Sequence, residues 1–355
     1  MNESPAISHD KLLSRIVSLS VSKEREPCSP SPSDAIIVGR LMTAPEVVDS
    51  LREHGCIDLT PTLNLDKCKE QHTDIDIRFG RLYRGVAHGG AQIALKCVQP
   101  TFRLNIDQDN IKSVASELLA WSECFHPNLN QLLGLAHYGM ELAMVSPWTD
   151  GMSLDRHISI QHPTWTERLR LGTQIADGVA YLHSMGLVHE DLKAINIRVS
   201  ENGTPVITGF GHPTIQRHSR DICNAIASTS SLSIRWTAPE LFEGQGHTRM
   251  TDVWALGMVL LEIFTGSVPY AKILSDVAPF KDIKKLILPE RPEEHIPTGD
   301  AQADLLWSLL NQCWAAGPMD RPTAEEVHDK IREMESLAGS LGDSHYAVIN
   351  ESPAN

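Results

Sequence analysis

The residues of this chain with the clearest capacity for chemistry stand close together in the run 188–196, which reads VHEDLKAIN. Within nine positions this run offers a carboxylate at Asp191, an ammonium group at Lys193 and an amide at Asn196. Such groups could orient a hydroxyl, neutralise a phosphate or ligate a metal. Taken alone, each is common on protein surfaces, so the chemistry has to be judged from what accompanies the run along the chain.

Seven elements follow one another in a fixed order. They are a strand lysine, a helix glutamate, His-x-Asp-x-Lys-x-x-Asn, x-Phe-Gly, Ala-Pro-Glu, Asp-Val-Trp-Ala-Leu-Gly and Arg-Pro. Their positions are Lys96, Glu117, 189–196, 209–211, 238–240, 252–257 and 321–322. Together they resemble the protein-kinase domain over about residues 74–335. The resemblance is closest to the tyrosine-kinase-like group of serine/threonine kinases as expanded in fungi.

The resemblance implies a role for each reactive residue. Asp191 would orient the acceptor hydroxyl and take its proton, and Lys193 would neutralise charge on the γ-phosphoryl group. A lysine at this position favours Ser/Thr over Tyr acceptors. Asn196 would give a neutral oxygen to a second Mg²⁺. Lys96 would contact the α- and β-phosphates of ATP, held at a fixed depth by Glu117.

The resemblance also implies a nucleotide pocket and a set of structural pairs. Gly80 and Leu82 would cover the nucleotide, Ser146 aligns as the small residue before the hinge, and Pro147 to Thr149 would form the hinge. Adenine needs a carbonyl from the first hinge residue and an N–H from the third, so a proline at 147 removes no required donor. ATP binding is therefore expected. Three further residues would be structural: Glu240 and Arg321 as a buried ion pair, and Asp252 as an anchor for the catalytic loop.

Three departures from the family pattern concern phosphate or its control. Gly209 stands where the family has the aspartate that bridges Mg²⁺ to the phosphates, which leaves Asn196 as the remaining protein ligand. Mg²⁺ binding is therefore expected to be weakened. Ile75 and Ile77 occupy glycine positions of the phosphate-covering loop, where β-branched side chains obstruct a close approach. Glu190 replaces an arginine or glycine and would repel a phosphorylated activation loop.

These departures predict a pseudokinase: a signalling domain that binds ATP, with phosphotransfer weak or lost, and acts on protein partners or substrates of unknown identity. A loss of about 4 kcal/mol of transition-state stabilisation would lower the rate roughly a thousandfold. Two alternatives stay open. One is an active but impaired Ser/Thr protein kinase in which water or another carboxylate replaces the lost ligand, and the other is a structural domain with an occluded pocket.

Composition limits the partners and the location. The 355 residues carry a net charge of −14, which disfavours nucleic acid and anionic membrane as partners. Seven cysteines are scattered without a C-x-x-C pair, as in reduced intracellular proteins. The longest apolar run, at 253–264, is too short to span a bilayer. We expect a cytoplasmic protein, with a nuclear location left open.

Hydrophobic periodicity predicts an α+β chain with two unlike lobes. The resemblance implies that these lobes form the two-lobed protein-kinase fold, with a small β-rich lobe followed by a larger helical lobe. Strands are predicted within 74–98 and on to about 147, with a helix at 112–124 between them. Later helices are predicted at 166–185, 252–265, 303–315 and 323–337. Residues 1–35 are expected to be a disordered tail, 36–73 a helical N-terminal extension, 74–335 the kinase-like domain, and 336–355 a C-terminal tail. The extension would dock one helix, at 43–55, onto the next domain.

Overall fold

The computed structural model describes residues 44–70, 80–98, 111–139, 141–209, 231–273 and 279–341. The expected disordered tail at 1–35 lies outside these ranges, as do Ile75, Ile77 and Phe210. Thr43, the first residue of the helix predicted at 43–55, also lies outside them. Among the described cysteines, free thiols are found at Cys56, Cys68, Cys97, Cys124 and Cys313.

The smaller lobe is built on a five-stranded antiparallel sheet with the strand order β1-β2-β3-β5-β4. A first helix, α1, precedes the sheet, and a second, α2, lies between β3 and β4 in the chain. The bounds are α1 Ala44–Glu53, β1 Lys69–Glu70, β2 Gly80–Val86, β3 Gln92–Val98, α2 Ile111–Ser122, β4 Gly134–Tyr138 and β5 Glu141–Pro147. The predicted strands and the helix between them are thereby confirmed.

The register of this sheet decides which residues face the other lobe. Lys96 stands opposite both Leu82 on β2 and Met144 on β5, and Ser146 stands opposite Ala94. Directly opposed residues in an antiparallel pair point to the same face, and so do residues two apart in one strand. These side chains therefore share one face of the sheet. The opposite face carries a separate hydrophobic core.

The larger lobe is helical, as predicted, with a small three-stranded sheet beside its helices. The bounds are β6 Met152–Ser153, α3 Leu154–Gln161, α4 Trp165–Ser184, β7 Ile197–Val199, β8 Pro205–Ile207, α5 Arg249–Thr265, α6 Pro279–Lys284, α7 Ala301–Cys313 and α8 Ala324–Leu341. Helix α5 is the centre of this lobe, because every residue from 251 to 264 is buried. No helix among the described residues is both long and apolar enough to cross a membrane.

Several predicted boundaries need correction. Helix α5 begins at Arg249 rather than at 252, since the hydroxyl of Thr248 accepts from the backbone of Thr251 and caps the helix there. Helix α8 runs to Leu341 with Ala338 fully buried, so the tail predicted from 336 begins inside a helix. Strand β1 already belongs to the sheet, ahead of the domain start predicted at 74. The short helices α3 and α6 were not predicted.

The N-terminal extension docks on the smaller lobe as expected, but only its first part is α-helical. Val47, Val48 and Leu51 on α1 are no more than 2% exposed, which confirms that this helix docks through an apolar face. The chain then continues through two single-turn 3₁₀ helices, Thr60–Thr62 and Leu65–Lys67, before it enters β1.

Candidate active site

The run 189–196 lies between α4 and β7, and one buried carboxylate on α5 holds its first residues in place. The side chain of Asp252 accepts hydrogen bonds from the backbone N–H groups of His189 (2.7 Å) and Glu190 (3.0 Å). The ring of His183 lies 2.9 Å from the same carboxylate. Burial acts to raise the pKa of Asp252, but the hydrogen bonds and charges of the two histidines outweigh it and lower the pKa. The predicted anchoring by Asp252 is confirmed.

Asp191 and Lys193 form a triangle with a third side chain. The Lys193 Nζ lies 2.9 Å from the Oδ2 of Asp191 and donates to the hydroxyl of Ser233 over 2.9 Å. That hydroxyl in turn donates to the Oδ1 of Asp191, also over 2.9 Å. Lys193 is 1% exposed, whereas the side chain of Asp191 keeps 28% of its surface open. The lysine is therefore buried against Asp191 and Ser233, while the carboxylate stays accessible.

Sequence reasoning missed Ser233, which belongs to none of the seven motifs. In the structure it belongs to a 3₁₀ segment, Ser231–Trp236, that leads into Ala238-Pro239-Glu240. The available signal was its fixed place five residues before Ala238. Only the folded chain brings it to Asp191, because the two residues are 42 positions apart.

Asn196 and Gly209 lie against each other at the end of the run. The Asn196 Nδ2 donates to both the Oδ2 and the backbone oxygen of Asp191, each over 2.8 Å. The Asn196 Oδ1 is buried and has no hydrogen-bond partner among the described residues. Gly209 has a φ of +73°, and a β-carbon added there would lie 2.8 Å from the Asn196 Cγ. The amide thus fills the space in which a side chain at 209 would begin.

This arrangement leaves few protein donors for Mg²⁺. Magnesium prefers six oxygen ligands and commonly takes one or two of them from carboxylates. The Oδ1 of Asn196 is one neutral oxygen, and Gly209 adds no side-chain ligand. Across the described residues, no group of three or more His, Cys, Asp or Glu side chains could hold a metal ion. The side chains around Asn196 therefore do not fit a Mg²⁺ site of the usual composition.

Lys96 and Glu117 lie on β3 and α2, and both are half-buried. Burial lowers the pKa of His189, and the positive charge of Lys96 lowers it further, whereas the charges of Asp252 and Asp191 oppose the shift. Lys96 is thus close enough to the catalytic run to act on it electrostatically. The ion pair between Lys96 and Glu117 stays a prediction.

The segment predicted to be the hinge is tied to β3 and to the loop after α2. The hydroxyl of Ser146 accepts from the Asn130 side chain over 3.1 Å, and the backbone N–H of Trp148 donates to the Gln92 oxygen over 3.2 Å. The backbone N–H of Thr149 donates to no described residue. The resemblance assigns this N–H to adenine, and that assignment stays a prediction.

A second carboxylate on α5 lies beneath the catalytic run. The Oε2 of Glu262 accepts from the backbone N–H of Ala194 (3.1 Å) and from the indole N–H of Trp236 (2.7 Å). Burial raises the pKa of Glu262 from 4.5 to about 8, even though both hydrogen bonds act to lower it. This side chain joins the catalytic run to the segment that precedes Ala238-Pro239-Glu240. Nothing in the sequence analysis singled it out.

The predicted ion pair of the larger lobe is confirmed. Arg321 makes two hydrogen bonds to Glu240, Nη1 to Oε1 over 2.6 Å and Nη2 to Oε2 over 2.8 Å. The guanidinium also lies 5.0 Å from the ring centre of Trp254. The side chains of the pair are 0% and 6% exposed, so the paired charges are almost completely removed from water.

Comparison with known proteins supports the resemblance to protein kinases that the sequence motifs indicate. A family model described as protein tyrosine and serine/threonine kinase matches residues 76–331. The serine/threonine-protein kinase BCK1/SLK1/SSP31 of Saccharomyces cerevisiae is 31% identical over 222 residues, which cover 61% of this chain and 14% of that protein. The serine/threonine-protein kinase STY46 of Arabidopsis thaliana is 25% identical over 283 residues, 79% of this chain and 46% of that protein.

The MAP kinase kinase kinase mkh1 of Schizosaccharomyces pombe is 30% identical over 247 residues, which cover 67% of this chain and 22% of that protein. The chain thus spans less than half the length of each of these three relatives. The matched residues include both lobes and the run that Asp252 anchors. The chain therefore belongs to the family of protein tyrosine and serine/threonine kinases.

Proposed function

We propose that this chain is a signalling domain that binds ATP and transfers its γ-phosphate weakly or not at all. The observation that carries the proposal is the contact between Gly209 and Asn196. A glycine stands where the family pattern has a metal-binding aspartate, and the Asn196 amide occupies the adjoining space. Phosphoryl transfer depends almost wholly on positioning and charge stabilisation, so the loss of this carboxylate bears directly on the rate.

Three observations support nucleotide binding. Leu82, Lys96 and Ser146 share one face of the sheet, opposite the face that carries the separate hydrophobic core. Lys96 would supply the positive charge that phosphates need in a chain of net charge −14. The N–H of Thr149 donates to no described residue and would serve the adenine ring. Gly80, at the start of β2, and Pro147 would complete the pocket.

An active Ser/Thr protein kinase is the second candidate, and one observation favours it. The Asp191 carboxylate already accepts a hydrogen bond from the hydroxyl of Ser233 over 2.9 Å. The same carboxylate is therefore placed where it can accept a hydrogen bond from the hydroxyl of a substrate. Lys193 is held beside it, with its Nζ 2.9 Å from the Asp191 Oδ2. In this candidate the γ-phosphate goes to protein hydroxyls, and the rate is limited by the absent carboxylate at 209.

Thermal denaturation with ATP tests nucleotide binding. A ligand that binds only the folded state at a hundred times its dissociation constant stabilises by about 2.7 kcal/mol, or roughly 5–10 °C for a domain of this size. We expect the melting temperature to rise with ATP, and to rise little further when Mg²⁺ or Mn²⁺ is added. Lys96→Met is the matched variant, since it removes the charge and keeps most of the apolar stem. An unchanged melting temperature at millimolar ATP would reject nucleotide binding.

Radiolabelled phosphate transfer separates the two candidates. Wild type and Asp191→Asn are compared for self-labelling and for labelling of a generic basic protein substrate. We expect both proteins to stay near background. Incorporation in the wild type that disappears in Asp191→Asn would establish the active kinase instead, because the substitution removes the carboxylate and changes little in side-chain size.

A further inference from the structure

The N-terminal strap, which we define as residues 44–68, forms the main support of helix α2. Helix α1 packs against α2, and both helices contribute buried side chains to one hydrophobic core. Val48 and Leu51 on α1 are 2% and 0% exposed, and they share a hydrophobic core with Val114 and Leu118 on α2. The burial of these side chains joins the two helices, so α2 cannot move away from α1 without exposing apolar surface to water.

Polar contacts fasten the strap to the same lobe. The thiol of Cys56 donates to the backbone oxygen of Ala115 on α2 over 3.8 Å. The backbone of Leu135 on β4 exchanges two hydrogen bonds with the strap, accepting from Leu59 over 2.7 Å and donating to Ile57 over 2.8 Å. These bonds occupy the outer edge of β4, which is an end strand of the sheet.

A glycine makes this close approach possible. A β-carbon added to Gly134 would lie 2.6 Å from the backbone oxygen of Ile57 and 3.0 Å from the Cγ of Leu59. Any side chain at 134 would therefore push the strap away from β4. Because the atom it meets first is a backbone oxygen, the strap could not adjust by changing a rotamer alone.

The strap continues over the face of the sheet that carries the separate hydrophobic core, opposite the face of Lys96. Leu59 and Leu63 belong to the core on that face, together with Tyr83, Leu95 and Val145. Beyond them, the backbone N–H of His88, in the turn between β2 and β3, donates to Thr62 over 2.9 Å. One continuous segment thus ties α2, β4 and the β2–β3 turn together.

We infer that the strap is a built-in positioning element for α2, and that Val48 and Leu51 are positioning residues that act on the nucleotide through Glu117. Glu117 lies on α2, and its place relative to Lys96 depends on where α2 sits. Glu190 stands where an arginine would receive a phosphorylated activation loop, so a fixed internal support takes the place of that control. The nucleotide part of this inference rests on the proposed function, whereas the mechanical part does not.

Hydrogen–deuterium exchange of the full chain tests the mechanical part. Leu51→Ala removes apolar contact on α1, and Gly134→Ala displaces the strap at β4 without altering α1 or α2. The matched control is Leu310→Ala on α7, because Leu310 is equally buried but lies in the other lobe. We expect amide exchange in α2, residues 111–122, to speed up about tenfold or more in both strap variants and to stay at the wild-type rate in the control.

The affinity for ATP, measured by titration on the same three proteins, tests the nucleotide part. We expect the strap variants to bind about tenfold more weakly than the control at temperatures where all three are folded. Unchanged exchange in α2, or equal acceleration in the control, would overturn the inference. If the wild type binds no ATP, the proposed function fails and the exchange measurement still decides the role of the strap. If Leu51→Ala does not fold, Gly134→Ala supplies the same comparison.

Discussion

The side-chain amide of Asn196 and the bare α-carbon of Gly209 occupy adjoining space, and a β-carbon at 209 would lie 2.8 Å from the Asn196 Cγ. The amide is fixed there by its two bonds to Asp191. The backbone of Gly209 also has a φ of +73°, a conformation that residues other than Gly, Asn and Asp rarely adopt. Restoring a carboxylate at 209 therefore requires Asn196 to move.

The first prediction concerns that restoration. Gly209→Asp and the matched Gly209→Ala should both lower the stability, because either side chain has to displace Asn196. The left-handed backbone adds about 1–2 kcal/mol in Gly209→Ala and less in Gly209→Asp, whose own added cost is a negative charge near Asp191. Thermal melts with and without Mg²⁺ check this. Mg²⁺ should recover stability in Gly209→Asp alone, and equal recovery in Gly209→Ala would show that no metal site had been restored.

The second prediction concerns the triangle around Ser233. Ser233→Ala removes a hydroxyl that bonds both Asp191 and Lys193, so the free energy of unfolding should fall by about 1–3 kcal/mol. Ser233→Thr keeps the hydroxyl and should retain most of that stability. Urea denaturation of the three proteins measures the difference. Equal losses in both variants would mean that packing around residue 233, and not the hydroxyl, accounts for the effect.

The third prediction is a pH dependence that Glu262 creates. Its folded-state pKa of about 8 lies above the ordinary 4.5, so the folded protein holds a proton that the unfolded chain releases between these values. This contribution to stability is complete below about pH 4.5 and is lost as the pH rises toward 8. The charges acting on the carboxyl are Asp155, which raises its pKa, and Lys193, which lowers it.

Glu262→Gln checks this sign. The amide can still accept from Trp236 and Ala194 but carries no titratable proton. Between pH 5.5 and 8 the wild type should therefore lose stability relative to the variant, at up to about 1.4 kcal/mol per pH unit. Melting curves at several pH values measure the gap. Parallel pH profiles for the two proteins would contradict a raised pKa at Glu262.

The fourth prediction compares a buried ion pair with an exposed one. Arg321→Lys removes the two-pronged bond to Glu240 and leaves that carboxylate incompletely paired, so a loss of about 3–5 kcal/mol is expected. Lys272→Ala breaks the 2.6 Å ion pair between Lys272 and Glu290, whose side chains are 86% and 78% exposed. Because water screens such an exposed pair, the substitution should leave the unfolding midpoint unchanged. Chemical denaturation reports both variants. A comparable shift in Lys272→Ala would argue against burial as the cause.

Much of the fold was predictable because kinase motifs are local and ordered. The strand lysine, the helix glutamate and the catalytic run set the order of sheet and helices, and apolar periodicity located the main helices. The anchoring by Asp252 and the pair Glu240–Arg321 followed from the same resemblance. The predicted ends of the helices were less accurate. Helix α8 was predicted to end at 337 but continues to Leu341, and Ala338 in this extra part is fully buried. Tertiary packing, which periodicity cannot see, decides such ends.

The sequence by itself determined the family, the run that carries the chemistry and the absence of a carboxylate at Gly209. The tertiary structure alone decided what surrounds these residues. In the folded chain Ser233 bonds to Asp191, and Glu262 accepts from the backbone of Ala194. The amide of Asn196 lies in the space beside Gly209, and the strap packs against α2. The reason is physical: motifs record which groups are present along the chain. The contacts depend on side chains far apart in sequence that meet only when the apolar surfaces of both lobes are buried.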